Sequence, residues 1–338
     1  MNERETLNIR HRLSHQQIDA WLGENRSKEF FEEKLKHLKK VQHFIGVTDF
    51  LRKHEIIFTC LKGPLLSQRI YNDSSVRFSH DIDILIDDSK INEILQLFLK
   101  NGYQFKEGVF WPNNLMQQEL LIKNTHHVSL YNKELRLCVE VHWTLMHIPS
   151  ISSKKMKILL AQNQTEMIFS GRRFTILNSE FELLYLLLHG SRHGWVRLKW
   201  LIDIKDYPFN KIDISAFNTL IDTFKAERIT GQTNFLLNKY FDKQLPAGIK
   251  QKQYAKLNQI SLAYIESDRV GFNEYSMEEI IRGYLNYYLM FPGLIHKYQI
   301  LIKILFREGD IRGFNLPFKF LYFIYRPYSF IKRRIFHA

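Results

Sequence analysis

The chain has 338 residues, of which 45% are hydrophobic and 14% aromatic, so it can bury a large core and is not an intrinsically disordered protein. Lysine and arginine number 48 against 35 aspartate and glutamate residues, which gives a formal net charge of +13. This charge favours polyanionic partners such as nucleotides, nucleic acids, phosphorylated substrates or anionic lipid surfaces, without choosing among them.

Hydropathy and cysteine content predict a cytoplasmic protein. The first twenty residues are polar and lack the apolar region of a secretory signal. The longest apolar tracts, near Phe181 and Tyr298, are shorter than the roughly 18 residues that span a bilayer. Cys60 and Cys138 each lie in an apolar stretch, which predicts two buried free thiols and fits a reducing compartment.

Hydrophobic periodicity changes twice along the chain. Apolar residues at helical spacing predict a pair of helices over residues 15–53. Helices and strands are then predicted to alternate until about residue 145, and the pattern is almost continuously helical from Glu180 onward. The predicted strands are EIIFTCLKG, DIDILID, HHVSLYN and RLCVEVHWTL, and the predicted helices between them are PLLSQRIY and SKINEILQLFLKNG.

These elements predict an α+β protein with a small mixed sheet. We expect N-terminal helices in residues 1–50, an α/β domain in 51–150 and an α-helical domain in 151–310. Residues 311–338 form a basic, aromatic C-terminal tail.

The strand DIDILID carries two acids at alternate positions. Asp81 and Asp83 share one face of this strand, while the isoleucines between and after them share the other. Two carboxylates this close repel each other unless water or a cation separates them. A third acid, Glu140, lies in RLCVEVHWTL between two valines.

Three acids on strands with such apolar opposite faces favour a metal site over solvated surface positions. Mg²⁺ prefers oxygen ligands and is often held by one to three carboxylates together with waters and substrate phosphates. The sequence therefore predicts that Asp81, Asp83 and Glu140 bind Mg²⁺, with Mn²⁺ as the alternative ion.

The motifs LKG, RFSHDIDILI and VEVHW, in this order, resemble the DNA polymerase beta superfamily of nucleotidyltransferases. More narrowly, KGPLLSQRIYNDSSVRFSHDIDILI, VEVHWTL and LLHGSRHGWVRLKWLIDI resemble an uncharacterised bacterial nucleotidyltransferase family. The resemblance covers roughly residues 50 to 240.

This resemblance implies transfer of a nucleoside monophosphate from an NTP, with ATP the expected donor, to a small-molecule, peptide or saccharide acceptor. It implies that Asp81 and Asp83 bind two metal ions, and that Glu140 holds one of them while activating the attacking hydroxyl. It also implies that Gly63, which has no Cβ, lets the backbone approach the triphosphate.

The phosphate-binding turn departs from the superfamily pattern. Pro64 follows Gly63 and offers neither a hydroxyl nor a backbone N–H to a phosphate. Lys62 and Arg77 are the candidates to compensate, the first as a point charge and the second as a two-pronged donor. The alternatives are an exposed turn lysine and a surface ion pair.

Further substrate contacts are predicted beside the acids. His189, His193 and Arg197 follow one another at intervals of four, which places them on one face of a predicted helix lining the cleft. Packed histidines are the alternative, because no acid completes a zinc motif there. His142 shares the strand face of Glu140 and either contacts the site or packs in the core.

The tail combines basic and aromatic residues without one acid. Its nine aromatic rings accompany six basic residues, which are Arg312, Lys319, Arg326, Lys332, Arg333 and Arg334. This composition slightly favours a packed C-terminal helix over contact with an anionic membrane, which would place the protein at the inner membrane face. Nucleic-acid binding is well below both.

Two rival functions remain open at this stage. A noncatalytic nucleotide- or partner-binding protein that keeps the fold is favoured by Pro64 and disfavoured by the retention of all three acids. A basic membrane-surface adaptor would depend on the tail alone.

Overall fold

We describe the fold from a computed structural model, which covers residues 2–77, 79–146, 151–267, 276–304, 310–311 and 316–336. The predicted N-terminal helices are present. Ser14 and Ser27 cap them, since each hydroxyl accepts a hydrogen bond from the backbone N–H three residues later. A short π-helical turn, Thr6–Arg10, precedes them. The helices are α1 Glu3–Glu5, α2 His15–Leu22 and α3 Lys28–Lys53.

A seven-stranded sheet follows, with strand order β3-β4-β5-β2-β1-β7-β6. β1 pairs with β7 in parallel, whereas β3 with β4, β4 with β5 and β6 with β7 are antiparallel. The sheet is therefore mixed, and the predicted α+β class is confirmed. The strands are β1 Thr59–Cys60, β2 Asp81–Leu85, β3 Tyr103–Phe105, β4 His127–Asn132, β5 Leu137–His142, β6 Gln164–Phe169 and β7 Arg172–Leu177.

Helices connect the strands and make up most of the chain after β7. Those between strands are α4 Gly63–Tyr71, α5 Ile91–Lys100, α6 Leu115–Asn124 and α7 Ser153–Gln162, with a 3-10 turn at Asp88–Lys90. Those after β7 are α8 Ser179–Arg192, α9 Leu198–Lys205, α10 Ile214–Phe224, α11 Glu227–Phe241, α12 Ala255–Ile265, α13 Met277–Met290, α14 Leu294–Ile304 and α15 Lys319–Phe336. None of the helices in the described ranges is long and apolar enough to cross a membrane.

The expected helical domain, residues 151–310, also contains the β6–β7 hairpin. Its turn is made by Ser170 and Gly171, both with positive φ, which suits a tight two-residue hairpin. β6 is largely exposed, with Ile168 77% accessible, so it lacks the apolar alternation that marks a half-buried strand. Its pairing with β7 defines it instead.

Two compact units share the chain, and each is discontinuous in sequence, unlike the four consecutive segments expected. Unit 1 comprises Met1–Ile84 and Lys157–Pro292, and unit 2 comprises Leu85–Met156 and Gly293–Ala338. In unit 1, Phe44 of α3 stacks on Phe174 of β7 with ring centroids 5.4 Å apart. In unit 2, a cluster of buried residues joins α6 to the C-terminal segment. Both cysteines are free thiols, as predicted, but only Cys60 is buried; the predicted burial of Cys138 is wrong, since this residue is half-buried.

Candidate functional site

The two aspartates of β2 lie where the sequence places them. Ile82 and Ile84 are buried in the core, and the alternation of the strand directs Asp81 and Asp83 to its other face. Asp83 is itself only 9% exposed, and its carbonyl accepts the N–H of Leu61, which pairs β2 with β1. A carboxylate with so little water around it favours a neighbouring cation.

Two lysines that the sequence did not single out act on Asp81. Lys40 of α3 donates to the carbonyl of Ser79 at 3.1 Å. Burial lowers the pKa of Lys40, and Asp81 opposes that shift. Lys199 of α9 is buried, which holds its pKa well below the usual value, and Asp203 and Asp81 again oppose the shift. Since α3 and α9 are remote in sequence, no local motif marks this cluster of charges.

The turn before α4 has the backbone that glycine permits. Gly63 has φ +68°, and a Cβ added there would meet no described atom within 4 Å. Pro64 occupies the first turn of α4, where a missing N–H costs no helical hydrogen bond. Lys62 is 9% exposed and its ammonium lies 4.6 Å from the ring centroid of Tyr185, so it is not an exposed turn lysine.

Arg77 is buried and forms an ion pair inside unit 1. Its Nε lies 2.9 Å from both carboxylate oxygens of Asp203, a residue that is fully buried. Burial lowers the pKa of Arg77, but the charge and hydrogen bond of Asp203, with smaller contributions from Tyr71 and Asp83, together outweigh burial, so the net direction is upward. Arg77 is therefore not the surface ion pair considered from the sequence. Its role in phosphate binding stays a prediction.

The single helical face predicted for His189, His193 and Arg197 is wrong. α8 ends at Arg192, and Gly194 and Trp195 both have positive φ, so the chain turns before α9 begins at Leu198. The three side chains nevertheless meet at one ring. His189 and His193 lie 5.1 and 5.2 Å from Trp200, and the guanidinium of Arg197 lies 5.6 Å from it.

In unit 2, Glu140 lies on β5 between two fully buried valines, as the alternation predicts. Its carboxylate is 3.5 Å from Nε2 of His142 and 3.7 Å from Nε2 of His127. Ser129 also donates to this carboxylate at 3.4 Å. His142 is buried, and it therefore both contacts Glu140 and packs in the core.

His126 completes a group that sequence reasoning missed. One ring nitrogen each from His126, His127 and His142 lie within 4.8 Å of one another, close enough for one metal ion. The sequence does contain a signal for this histidine group. The pair HH opens the strand that precedes VEVH, and antiparallel pairing sets His127 opposite His142.

Comparison with known proteins identifies the chain at the level of its family. A family model described as an uncharacterised nucleotidyltransferase matches residues 8–242, which is more than half of the chain. The chain belongs to this nucleotidyltransferase family. Asp81, Asp83, Glu140 and the turn at Gly63 all lie within the matched range. The family supports a general nucleotidyltransferase role, and it leaves the acceptor and the mechanism open.

Other comparisons add little. The crystal structure of an antigenic nucleotidyltransferase-like protein from Paracoccidioides brasiliensis is similar with a TM-score of 0.32 and 15% identity, over 66% of this chain and 97% of that one. A TM-score this low supports no functional conclusion. Among curated proteins, none matches the chain significantly.

Proposed function

We propose that this nucleotidyltransferase transfers a nucleoside monophosphate from an NTP, with ATP the expected donor, to a small-molecule, peptide or saccharide acceptor. The observation that carries the proposal is the placement of Asp81 and Asp83 on one face of β2, within the range that matches the family. Lys40 and Lys199 place two amines beside Asp81, and a bound triphosphate would favour their protonated forms.

Divalent metal ions, Mg²⁺ or Mn²⁺, are part of this proposal. The ligand set fits them, because two carboxylates on alternate positions of one strand, one of them largely buried, are the hard oxygen donors that such ions prefer. When bound, the ions would stabilise charge on the attacking and leaving oxygens. Asp81 and Asp83 would hold them, and Glu140 would contribute from β5.

The protein groups would bind and orient the triphosphate. Backbone at Gly63 can approach a phosphate closely, and the N–H groups in the first turn of α4 after Pro64 point toward the helix N-terminus, where anions are favoured. Lys62 and Lys40 would supply ammonium groups, and Lys199 would become one when a bound triphosphate raises the pKa of its amine. Arg77, held by Asp203, would act through its remaining donors.

In the proposed reaction the acceptor oxygen forms a bond to the α-phosphorus while the bond from that phosphorus to the bridging oxygen breaks. Pyrophosphate leaves, and the proton of the acceptor hydroxyl passes to Glu140. His142, 3.5 Å from Glu140, is placed to orient this carboxylate. His189, His193 and Arg197, gathered at Trp200, are proposed as substrate contacts.

The test compares Asp83→Asn with Asp242→Asn, which removes the same charge from an exposed position in unit 1. We expect Asp83→Asn to weaken Mg²⁺-dependent NTP binding, measured by calorimetry with each NTP, and to reduce turnover by at least about a hundredfold. The fold should survive, because the change removes one of two repelling acids. Wild-type binding and turnover in Asp83→Asn would refute the metal assignment.

A labelled NTP distinguishes an enzyme from a noncatalytic nucleotide-binding protein. With NTP labelled at the α-phosphate, an enzyme moves the label into a fraction of acceptors extracted from cells and releases unlabelled pyrophosphate. A binding protein retains NTP and releases neither. Nucleotide binding without transfer to any extracted fraction would favour the binding role.

A separate observation favours membrane contact through α15, which we propose as a peripheral attachment site. Four apolar side chains at helical spacing, Phe320, Ile324, Tyr328 and Ile331, are between 55% and 66% exposed. The buried face of the same helix carries Tyr322, Arg326 and Ser329 instead.

The polar side chains of α15 thus face unit 2. The hydroxyl of Tyr322 accepts a hydrogen bond from Gln117 at 2.8 Å, and Ser329 donates to Asp310 at 3.0 Å. A helix packed on the core of a soluble protein normally buries its apolar face and exposes its polar face, so this arrangement is the reverse of the expected one.

Lys319 and Lys332 are exposed beside the apolar face, and no acid occurs from residue 311 onward. The occupant that matches an apolar, basic face is an anionic lipid surface. Arg312 lies outside the described residues, and the side chains of Arg333 and Arg334 are not described.

The membrane test uses exposed positions, because truncation before Ile311 would uncover Leu120 and Leu121 in the core of unit 2. We expect the double variant Ile324→Gln/Ile331→Gln to lose co-sedimentation with vesicles that contain anionic lipid. The matched control is Ile57→Gln/Ile168→Gln, which changes two exposed isoleucines of unit 1. Wild-type binding should weaken with salt, since each basic residue contributes about 1 kcal/mol at the surface. Equal sedimentation of both double variants would overturn the proposal and leave α15 a structural element.

A further inference from the structure

We propose that His126, His127, His142 and Glu140 form a binding site for a transition-metal ion, with Zn²⁺ the expected occupant. All four residues belong to unit 2. The site shares Glu140 with the proposed transfer site but depends neither on β2 nor on nucleotidyl transfer. It would be a second kind of metal site, built mainly from nitrogen rather than from oxygen.

The strand register brings three of the ligands together. β4 and β5 are antiparallel, with His127 directly opposite His142 and Ser129 directly opposite Glu140. Glu140 and His142 are two residues apart and so share one face of β5. Directly opposite residues also share a face, which adds His127 to the same patch. The His127 and His142 rings stack with centroids 4.9 Å apart.

The distances approach those of a tetrahedral centre. Zn–N and Zn–O bonds of about 2.0 to 2.1 Å require ligand atoms about 3.3 to 3.4 Å apart. The carboxylate of Glu140 lies 3.5 Å from Nε2 of His142 and 3.7 Å from Nε2 of His127. Adjustments of a few tenths of an ångström would be enough for these two pairs, whereas the ring nitrogens of His127 and His142, which lie within 4.8 Å of each other, are close enough to share an ion after the rings turn.

His126 supplies the fourth ligand from the residue before β4. Its carbonyl accepts the N–H of Trp143 at 3.1 Å, so the backbone on both sides of the cluster is fixed by the sheet. Its ring lies 4.4 Å from the ring of His127 and 5.8 Å from that of His142. A ring nitrogen of His126 lies within 4.8 Å of those of the other two histidines, within reach of a shared ion.

The chemistry of the ligands determines which metal ion the site would bind. Imidazole suits zinc and other transition metals, whereas Mg²⁺ and Ca²⁺ prefer carboxylate, carbonyl and water oxygens. Three imidazoles with one carboxylate therefore select against Mg²⁺. An ion bound here would also fix the orientation of Glu140, which gives the site a direct effect on the proposed transfer chemistry.

The experiment titrates the full chain, freed of metal by a chelator, with Co²⁺, whose visible absorption reports tetrahedral nitrogen and oxygen ligands. We expect saturation by one Co²⁺ per chain, displacement by Zn²⁺, and persistence in excess Mg²⁺. His127→Ala and His126→Ala, at half-buried positions, should weaken Co²⁺ binding by at least about tenfold. The matched control is His54→Ala, an exposed histidine of unit 1 that should bind Co²⁺ as the wild type does.

Asp83→Asn separates this proposal from the proposed function. It should weaken Mg²⁺-dependent NTP binding and leave the Co²⁺ spectrum unchanged. Thermal unfolding of the metal-free histidine variants checks that they are folded, and added Zn²⁺ should raise the melting temperature of the wild type but not of these variants. Equal Co²⁺ affinity in His127→Ala and wild type, or a Co²⁺ spectrum lost only in Asp83→Asn, would overturn the histidine site.

Discussion

The buried imidazole of His11 links the stability of unit 1 to pH. Burial, with a smaller contribution from Arg10, lowers the pKa of His11 from 6.5 to about 4. Between these values the unfolded chain binds a proton that the folded chain excludes, so the contribution of His11 to stability falls as pH drops. Nδ1 of His11 accepts the N–H of Leu198 at 3.3 Å, and protonation of that nitrogen would break the bond.

His11→Asn should remove this acid sensitivity, because the asparagine oxygen can accept the same hydrogen bond and does not titrate. Relative to the wild type, the free energy of unfolding of the variant should rise by about 2 kcal/mol between pH 7 and pH 5. Urea unfolding at the two pH values measures it, with the exposed His54→Asn as the control. Parallel pH profiles for wild type and His11→Asn would contradict the prediction.

At the residue scale, the sequence predicted those site residues whose evidence is local. The alternation of Asp81 and Asp83 with buried isoleucines is a property of one strand, and the structure has it. Lys40 and Lys199 were missed because they reach Asp81 from helices far away in sequence. The burial of Arg77 could not be predicted either, since its partner Asp203 lies 126 residues away.

Helices in unit 1 are joined by one buried amide. The side-chain oxygen of Gln232, on α11, accepts from Ser191 at 2.6 Å and from Nε1 of Trp195 at 3.1 Å. Its nitrogen donates to the carbonyl of Leu257 and to the hydroxyl of Ser261. Every hydrogen-bonding position of the amide is therefore used, which links α8, α11 and α12.

Gln232→Leu should destabilise unit 1 by roughly 2 to 4 kcal/mol, because the N–H of Trp195 and the carbonyl of Leu257 would lose partners in a fully buried site. Denaturant unfolding compared with the exposed Gln251→Leu tests this. If the variant loses no more unfolding free energy than the control, these hydrogen bonds contribute no net stability.

Prediction of the elements succeeded where periodicity or a breaker residue was clear. Pro64 in the first turn of α4 and the amphipathic stretches of α2 and α3 are examples. β6 was missed because it is held by pairing with β7 and has no buried apolar alternation of its own. β7 does alternate, with Phe174 and Ile176 buried, but its apolar pattern is only a few residues long. The turn at Gly194 was missed because it depends on Trp195 packing against Gly190, where even one added Cβ would lie 2.3 Å from the indole.

At the scale of the whole molecule, the sheet ties distant parts of the chain together. β1 precedes residue 61, yet its parallel neighbour is β7, with Cys60 opposite Ile176. A sequence-based boundary near residue 150 cannot show this, because pairing between remote strands leaves no local mark. The class of the fold was predictable, and the path of the chain through it was not.

A chain truncated to residues 1–150 should therefore fail to fold cooperatively. It would lack β7 and β6, leave one side of β1 as an open sheet edge, and expose Phe44, which stacks on Phe174. Circular dichroism during urea unfolding should show no single sharp transition, in contrast to the full chain. A sharp transition in the truncated chain would mean that the hairpin is dispensable.

Lys199 has a chemical consequence beyond its charge. Burial holds the pKa of its amine well below that of ordinary lysine, so a larger fraction of the amine is unprotonated at neutral pH. An unprotonated amine is a nucleophile, which makes this side chain selectively reactive toward small acylating reagents that reach it. A nucleotide bound beside Lys199 would raise the pKa of this amine and shield it, so acylation of Lys199 should fall when an NTP is present.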